Sequence, residues 1–382
     1  MSNSKITFYP VGNGDCNLIE LSDGIKMLVD CNFTQDAEDS ATETFDVFND
    51  LVSNKLSTKF GMPFLDAFVL THPDQDHCRG FASKFYLKNP HDTTPTKEEK
   101  DSDLMVIGDL WYSPRVFSEN TSELSADAKA FKKEAKRRMK LWLADDPNKN
   151  KDGNRIRIIG YFDDEDIAKL PDSVKSFPGN LLEKVNGKKL SASRFFIHAP
   201  FKEEIEGNDR NCTSIVFQLR IDAGSKKDVG KIVMGGDAEW RVWQKIQENT
   251  DDDANLKWNI FEAPHHCSYT FFADDREDEP EQSSLDFLAR REGNGYVVSS
   301  SKLIKNNSDT PPCQKAKNRY VKAMDDDEDY FKCTTTKDDD DNEVYTPITF
   351  EITSGGAKEV VTREASSSSK AANQGITPHY YG

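Results

Sequence analysis

Three times in this chain a short apolar run breaks into a cluster of metal-ligating side chains. Residues 67–70 run into Thr71-His72-Pro73-Asp74-Gln75-Asp76-His77. Residues 231–234 run into Gly235-Gly236-Asp237, and residues 258–261 lead to Ala263-Pro264-His265-His266-Cys267-Ser268. Each apolar run has the length and composition of a buried strand. A strand that ends in ligands delivers them at one edge of a sheet. Three such strands in one sheet system can therefore gather all the ligands along a single edge, and they predict an α/β fold organised around it.

Taken singly, each cluster is unremarkable. A polar loop can hold two histidines by chance, Gly-Gly-Asp is an ordinary turn or helix N-cap, and paired histidines are common at surfaces. Together they point to metal. Imidazole suits zinc and its neighbours, while carboxylates suit harder ions such as manganese. Two ions about 3.5–4 Å apart clamp both oxygens of an in-line displacement. In the extended stretch 72–77, His72 and Asp74 can feed one ion, and Asp76 and His77 the other.

The rest of the chain sets limits on that reading. Its 382 residues carry 67 acidic against 50 basic side chains, a net charge of -17. Sequence-blind coating of nucleic acid needs an excess of Lys and Arg, so it is excluded, whereas a local basic site is not. The 23 Phe and 5 Trp argue for a packed core. No apolar run has the ~18 residues a membrane span needs. Residues 1–6 are polar, without the apolar stretch of a signal peptide, which predicts a cytoplasmic protein. The seven cysteines include no C-x-x-C pair, so neither a disulfide framework nor a zinc ribbon is expected.

Strands are expected at 5–9, 16–21 and 25–29, the last two joined at Asp23-Gly24. Residues 45–56 have helical periodicity, and 104–112 read as strand. Residues 125–144 form a helix with Ser125 as N-cap, apolar at Ala128, Phe131, Ala135, Met139 and Trp142. Seven basic residues crowd positions 129–140 of this helix. Two readings remain open: a solvated face, or a clamp in which Lys132, Lys133 and Lys136 hold a phosphodiester backbone. Residues 113–190 read as an insertion on one large domain spanning 1–355, and 356–382 as a flexible tail.

The order of motifs resembles the metallo-β-lactamase superfamily: Val11 to Asp15, Leu28 to Asp30, Thr71 to Gly80, Asn211 to Ser214, Gly236-Asp237 and Pro264 to Ser268. Within it the chain is most similar to the hydrolase domain of ComEC-type DNA-uptake proteins and their stand-alone relatives. The resemblance implies a four-layered αββα sandwich with a helical insertion and two divalent ions, zinc or manganese. It places His72 and Asp74 on the first ion, Asp76 and His77 on the second, and Asp237 between them. It makes His265 the C-terminal ligand of the second site, with His266 at the scissile phosphate, or the two exchanged. Asp76, Asp237 and His266 then stand at the chemistry, and Asp30 orients ligands from behind.

Three positions depart from the family pattern. The usual third-strand histidine ligand is missing; Asn211 stands near its place, Asn208 competes, and His198 is either that ligand or an ordinary strand residue. Cys267 replaces a glycine. Asp309-Thr310-Pro311 stands where relatives carry Gly-His-Pro, so a proton donor is absent. The implied activity is phosphodiester hydrolysis, of nucleic acid or a nucleotide, by a metal-bound hydroxide. Its rivals are hydrolysis of a small ester, lactone, thioester or cyclic nucleotide, and a weakly catalytic nucleotide-binding module.

Overall fold

The computed structural model describes residues 2–33, 45–161, 163–207 and 209–360. Strands β1 (Ser4–Phe8), β2 (Asn17–Glu20) and β3 (Lys26–Val29) form an antiparallel meander. Gly24, at φ 75°, takes the left-handed turn position between β2 and β3 that a side chain resists. Strands β4 (Met62–Leu70), β5 (Val106–Tyr112) and β6 (Arg155–Ile159) continue from β3 in parallel. The second sheet begins with an antiparallel run, β7 (Ser193–Ala199), β8 (Val216–Ala223) and β9 (Lys226–Met234). It then turns parallel through β10 (Trp258–Glu262), β11 (Arg291–Ser299) and β12 (Phe331–Cys333). Finally β13 (Ile348–Thr353) and β14 (Gly356–Glu359) return to the first sheet beside β1.

Alternation along the strands decides which face packs where. In β4, Ala67 and Val69 join a buried cluster with Ile6, Phe217, Leu219 and Ile232, which is the contact between the two sheets. Phe68 and Leu70 point the other way, into a cluster with Ala128, Phe131, Ala135 and Met139 of helix α1 (Ala126–Leu143). Ser125 caps this helix by accepting from the Ala128 amide. On the far face of the second sheet, Val233, Phe261 and Val297 pack with Trp243, Phe287 and Tyr320 from its covering helices. The chain is thus a mixed α/β protein with two large sheets.

Several expectations shift. The strand read at 67–70 begins at Met62, because the residues before it are also buried. The helix expected over 45–56 is split into Val47–Asn49 and a wider-wound turn, Asp50–Lys55. Within the stretch 113–190, β6 extends the first sheet and α1 covers it. The tail does not begin at 356: β14 holds Gly356–Glu359 in antiparallel pairing with β13. Residues 361–382 lie outside the described residues, as does Asn208. Among the described residues no helix is long and apolar enough to cross a membrane.

His198 is not the missing ligand. It lies on β7, 2% exposed, with Nε2 3.0 Å from the Asn255 carbonyl oxygen, and among the described residues it belongs to no cluster of ligand side chains. Burial pushes its pKa down to about 3, so it is held neutral. The unfolded chain then binds the extra proton between the ordinary value of about 6.5 and about 3, and stability falls with pH across that window. Replacing His198 with Gln should make chemical denaturation midpoints less sensitive to pH between 6.5 and 3.5. An unchanged pH dependence would remove His198 from the acid response.

Candidate metal centre

The carboxyl ends of β3, β4, β9 and β10 meet at one edge, and the turns that follow them are tied to each other. The Ile215 amide donates to the Thr71 carbonyl (3.1 Å), the His265 amide to Gly236 (3.0 Å), and the Asp15 amide to Asp76 (3.3 Å). After β3, Asp30 takes a left-handed conformation at φ 58° and is fully buried. Its carboxylate accepts from the Thr71 amide (2.8 Å), the Thr71 hydroxyl (2.5 Å) and His77 Nδ1 (2.8 Å). With its proton on Nδ1, His77 turns a bare Nε2 toward the site. His72 is held similarly: Nδ1 lies 3.2 Å from Thr71 Oγ1 and 3.3 Å from Ser214 Oγ. Ser214 Oγ also accepts from the Asp237 amide (3.1 Å). A β-carbon on Gly236, which sits at φ 49°, would lie 3.0 Å from Thr71 Cβ and 3.1 Å from Ser214 Oγ, so this tight packing requires glycine.

Beyond β10 the backbone is strained. His265, His266 and Cys267 are consecutive left-handed residues at φ 50°, 51° and 65°. Each costs about 1–2 kcal/mol relative to ordinary backbone. Such conformations persist where the surroundings over-determine them, and they cluster at functional sites. Here they aim both imidazoles at Asp237.

Asp237 is the centre of the arrangement. Its Oδ2 lies 3.7 Å from His72 Nε2 and 3.6 Å from His265 Nε2. Its Oδ1 lies 3.1 Å from His77 Nε2 and 3.7 Å from His266 Nε2. Asp74 Oδ2 stands 3.9 Å from His72 Nε2, and Asp76 Oδ2 stands 3.4 Å from His266 Nε2. The ligand atoms of His72, His77 and Asp237 are close enough to share an ion, and so are those of Asp76, His77 and His266. His72 Nε2, His77 Nε2, His266 Nε2 and Asp237 Oδ1 are buried without a hydrogen-bond partner. Buried polar atoms are costly to leave unpaired, and these four are donors of the type a divalent cation takes.

The electrostatics are those of a site short of positive charge. Burial and the neighbouring His77 push His72 down to about 4. Burial also disfavours charge on His266, but Asp237 and Asp15 outweigh it and raise that pKa to about 10. For Asp237, burial is overcome by the four imidazoles, His77 foremost, which hold the carboxyl well below its usual range. Burial lifts Asp30 to about 6 against the pull of His77. Glu262, buried beneath the site, is driven well above the ordinary range by burial and then by Asp15 and Asp30. Divalent cations at such a cluster would supply the missing positive charge.

Of the residues singled out in the sequence, His72, Asp74, Asp76, His77, Asp237, His265, His266 and Asp30 are all brought together. The pair of histidines is arranged differently from the favoured assignment: His266, 2% exposed, sits beside Asp76, whereas the partly exposed His265 lies on the His72 side. Asn211 starts a short 3-10 turn, Asn211–Thr213, and its amide donates to Asp209 Oδ1 (3.0 Å). Its neighbour Arg210 reaches the ligand cluster instead, with Nη1 2.6 Å from Asp74 Oδ1. Lys132 cannot clamp a substrate. It is buried, and its ammonium donates to the carbonyls of Phe117 (3.1 Å) and Glu119 (2.8 Å). Its spacing from Ala128, Ala135 and Met139 is the signal that places it on the buried face. Asp15, Glu262 and Arg210 were given no site role by sequence. Asp15 lies 3.7 Å from His77 Nδ1 and 3.6 Å from His266 Nδ1, and Glu262 accepts from Asn17 Nδ2.

No family model matches this chain, and no curated protein matches it. Among solved structures, it is similar to the crystal structure of unliganded yeast PDE1, at 12% identity and a TM-score of 0.38, over 87% of this chain and 96% of that one.

The Asp30 contacts give a direct test. Removing the carboxylate that fixes the His77 ring should weaken metal binding about 10- to 100-fold. Calorimetric titration of Asp30→Ala with Mn²⁺ or Zn²⁺ reads this, and an affinity equal to wild type would show that Asp30 does not orient a ligand.

Proposed function

We propose that this chain is a metal-dependent hydrolase of metallo-β-lactamase type, folded as a four-layered αββα sandwich, and that it cleaves phosphodiesters. The observation that carries the metal reading is the division of ligands about Asp237, with three imidazole nitrogens and one carboxylate oxygen left unpaired in the protein. His72, Asp74, His265 and Asp237 Oδ2 would hold one ion. Asp76, His77, His266 and Asp237 Oδ1 would hold the other. The carboxylate-rich set makes manganese as suitable as zinc. Divalent ions at such a site supply Lewis acidity to a phosphoryl oxygen and lower the pKa of water. The protein's own part is to hold the ligands in place: Asp30 fixes His77, Thr71 and Ser214 fix His72, and the strained 265–267 turn presents the paired histidines.

A phosphodiester is favoured by the outer face of α1. Lys129, Lys133, Lys136 and Lys140 are exposed at steps of four, three and four residues, so they form one row. The row is about 16 Å long at helical rise. None of the four has a carboxylate within ion-pair distance among the described residues, although acidic side chains outnumber basic ones. The N-terminal end of α1 lies at the ligand edge, where Asp127 accepts from the Ala82 amide (2.9 Å), just beyond the motif helix Gln75–Cys78. A row of unpaired ammonium groups running from that edge suits the backbone of a nucleic acid strand.

Metal analysis should return two divalent ions per chain, and no bound metal would favour the nucleotide-binding module instead. Asp237→Ala should lose hydrolysis of DNA, RNA and cyclic dinucleotides in Mn²⁺ or Zn²⁺; a variant indistinguishable from wild type would remove the catalytic reading. Replacing the four row lysines with alanine should lower the slope of log affinity for single strands against log salt by about 3. An unchanged slope would take the row out of substrate binding and favour small substrates.

A further inference from the structure

Beside Asp74 lies a cavity of about 620 Å³, formed by the loop after β5, the segment after β6 and residues 205–210. Its place follows from the topology. Strands β4, β5 and β6 are parallel neighbours, so the loops that follow β5 and β6 open at the same edge as the His72–His77 turn. The volume is in the range of small-molecule pockets.

A chain of alternating charge joins the cavity to the site. Arg210 Nη1 is 2.6 Å from Asp74 Oδ1, and its Nε is 3.3 Å from Glu119 Oε2. Glu119 in turn pairs with Arg115, whose guanidinium also donates to the carbonyls of Ile205 and Gly207. Arg115 and Glu119 are buried, at 9% and 7% exposure, and their bonds are used up in holding this wall. Arg210 differs. Its side chain is 28% exposed, and Nη2 makes no hydrogen bond among the described residues. It therefore faces the metal ligands on one side, the cavity on the other, and keeps donors to spare.

The lining of the cavity is chemically one-sided. Phe117 and Tyr161, both half-buried, supply ring surface, and Lys202 Nζ lies 4.7 Å from the Tyr161 ring centroid. Its exposed charged side chains, Glu123, Asp163, Asp164 and Glu206, are all carboxylates, with Ser118 and Asn120 beside them; Glu123 accepts only from Asn120 Nδ2 (3.0 Å), and Asp163 has no hydrogen bond or ion pair among the described residues. A phosphate group would be repelled from that interior and drawn to the Arg210 end. A flat, uncharged group with several N–H or O–H donors would be taken in.

Resting on the phosphodiesterase reading, we propose that this cavity is a specificity pocket for the organic group attached to the scissile phosphate, that it selects a nucleoside, and that Arg210 is the phosphate clamp at its mouth. The base lies against Phe117 and Tyr161, and its amino groups or the sugar hydroxyls donate to Glu123 and Asp163. Arg210, held by Asp74 and Glu119, offers its unused Nη2 donors to the phosphate. A group bearing a further phosphate on the cavity side is rejected by the same carboxylates, so the nucleoside that enters is one with a free hydroxyl end.

The test is calorimetric, on Mn²⁺-loaded full-length protein, with adenosine monophosphate and methyl phosphate as probes. Wild type should bind the nucleotide at least about 10-fold tighter than methyl phosphate, one good polar contact being worth this much. Glu123→Gln with Asp163→Asn should bring the nucleotide's affinity down to that of methyl phosphate. Arg210→Ala should weaken both probes, and Arg210→Lys should restore part of the loss for both, which a merely structural role would not do. Equal affinities in wild type, or a preference untouched by the carboxylate changes, would overturn the pocket. Loss confined to the nucleotide in Arg210→Ala would overturn the clamp. Metal-dependent hydrolysis of methyl p-nitrophenyl phosphate, which has no nucleoside, reports the phosphodiesterase reading separately.

Discussion

The Asp237 carboxylate, almost fully buried, faces the Nε2 atoms of four histidines at the meeting edge of two sheets, two on each oxygen. Little in that arrangement is self-sufficient. Three of the imidazole nitrogens and one of the oxygens have no hydrogen-bond partner, and the carboxyl groups of Asp15 and Asp30 stand behind the histidines. A cluster of this kind is tolerated in a protein interior when cations complete it. The rest of the fold reads as a means of holding these groups in place: parallel strands set the level of the turns, and cross-sheet hydrogen bonds at Thr71, Gly236 and Asp76 lock the turns together.

The same edge explains why so much structure surrounds a small site. The β-strands that carry ligands are central in their sheets, apolar on both faces and packed on one side against the other sheet. The helices cover the outer faces and do not enter the centre. What differentiates the site is confined to the loops after β5 and β6 and the 205–210 segment, which build the cavity, and to the outer face of α1. On the proposed reading, substrate selection is separable from the ligand frame, as is usual where loops carry specificity on a rigid scaffold.

Much of the frame was legible in the sequence because it depends on local signals. An apolar run of strand length ending in His-x-Asp-x-Asp-His needs no tertiary information to be placed at a sheet edge, and Ser125 marks the start of α1 by its capping chemistry. What escaped was set by distance along the chain. Arg210 meets Asp74 across 136 positions, and Asp15 and Glu262 come under the histidines only when the sheets stack. The order of His265 and His266 was open because it turns on three left-handed residues, a conformation that side chains other than glycine do not announce. The lysines of α1 looked alike as letters. Helical spacing divides them, with Lys132 buried on carbonyl oxygens and Lys129, Lys133, Lys136 and Lys140 outside.

The division of ligands about Asp237 is the claim on which the functional reading stands. Anomalous diffraction at the manganese edge, from crystals of the Mn²⁺-loaded protein, measures it directly. Two peaks are expected, one on each side of the Asp237 carboxylate, with His72, Asp74 and His265 around the first and Asp76, His77 and His266 around the second. A single peak, or metal bound only at the surface group Asp209, Cys212 and Glu239, would contradict a two-metal centre bridged by Asp237.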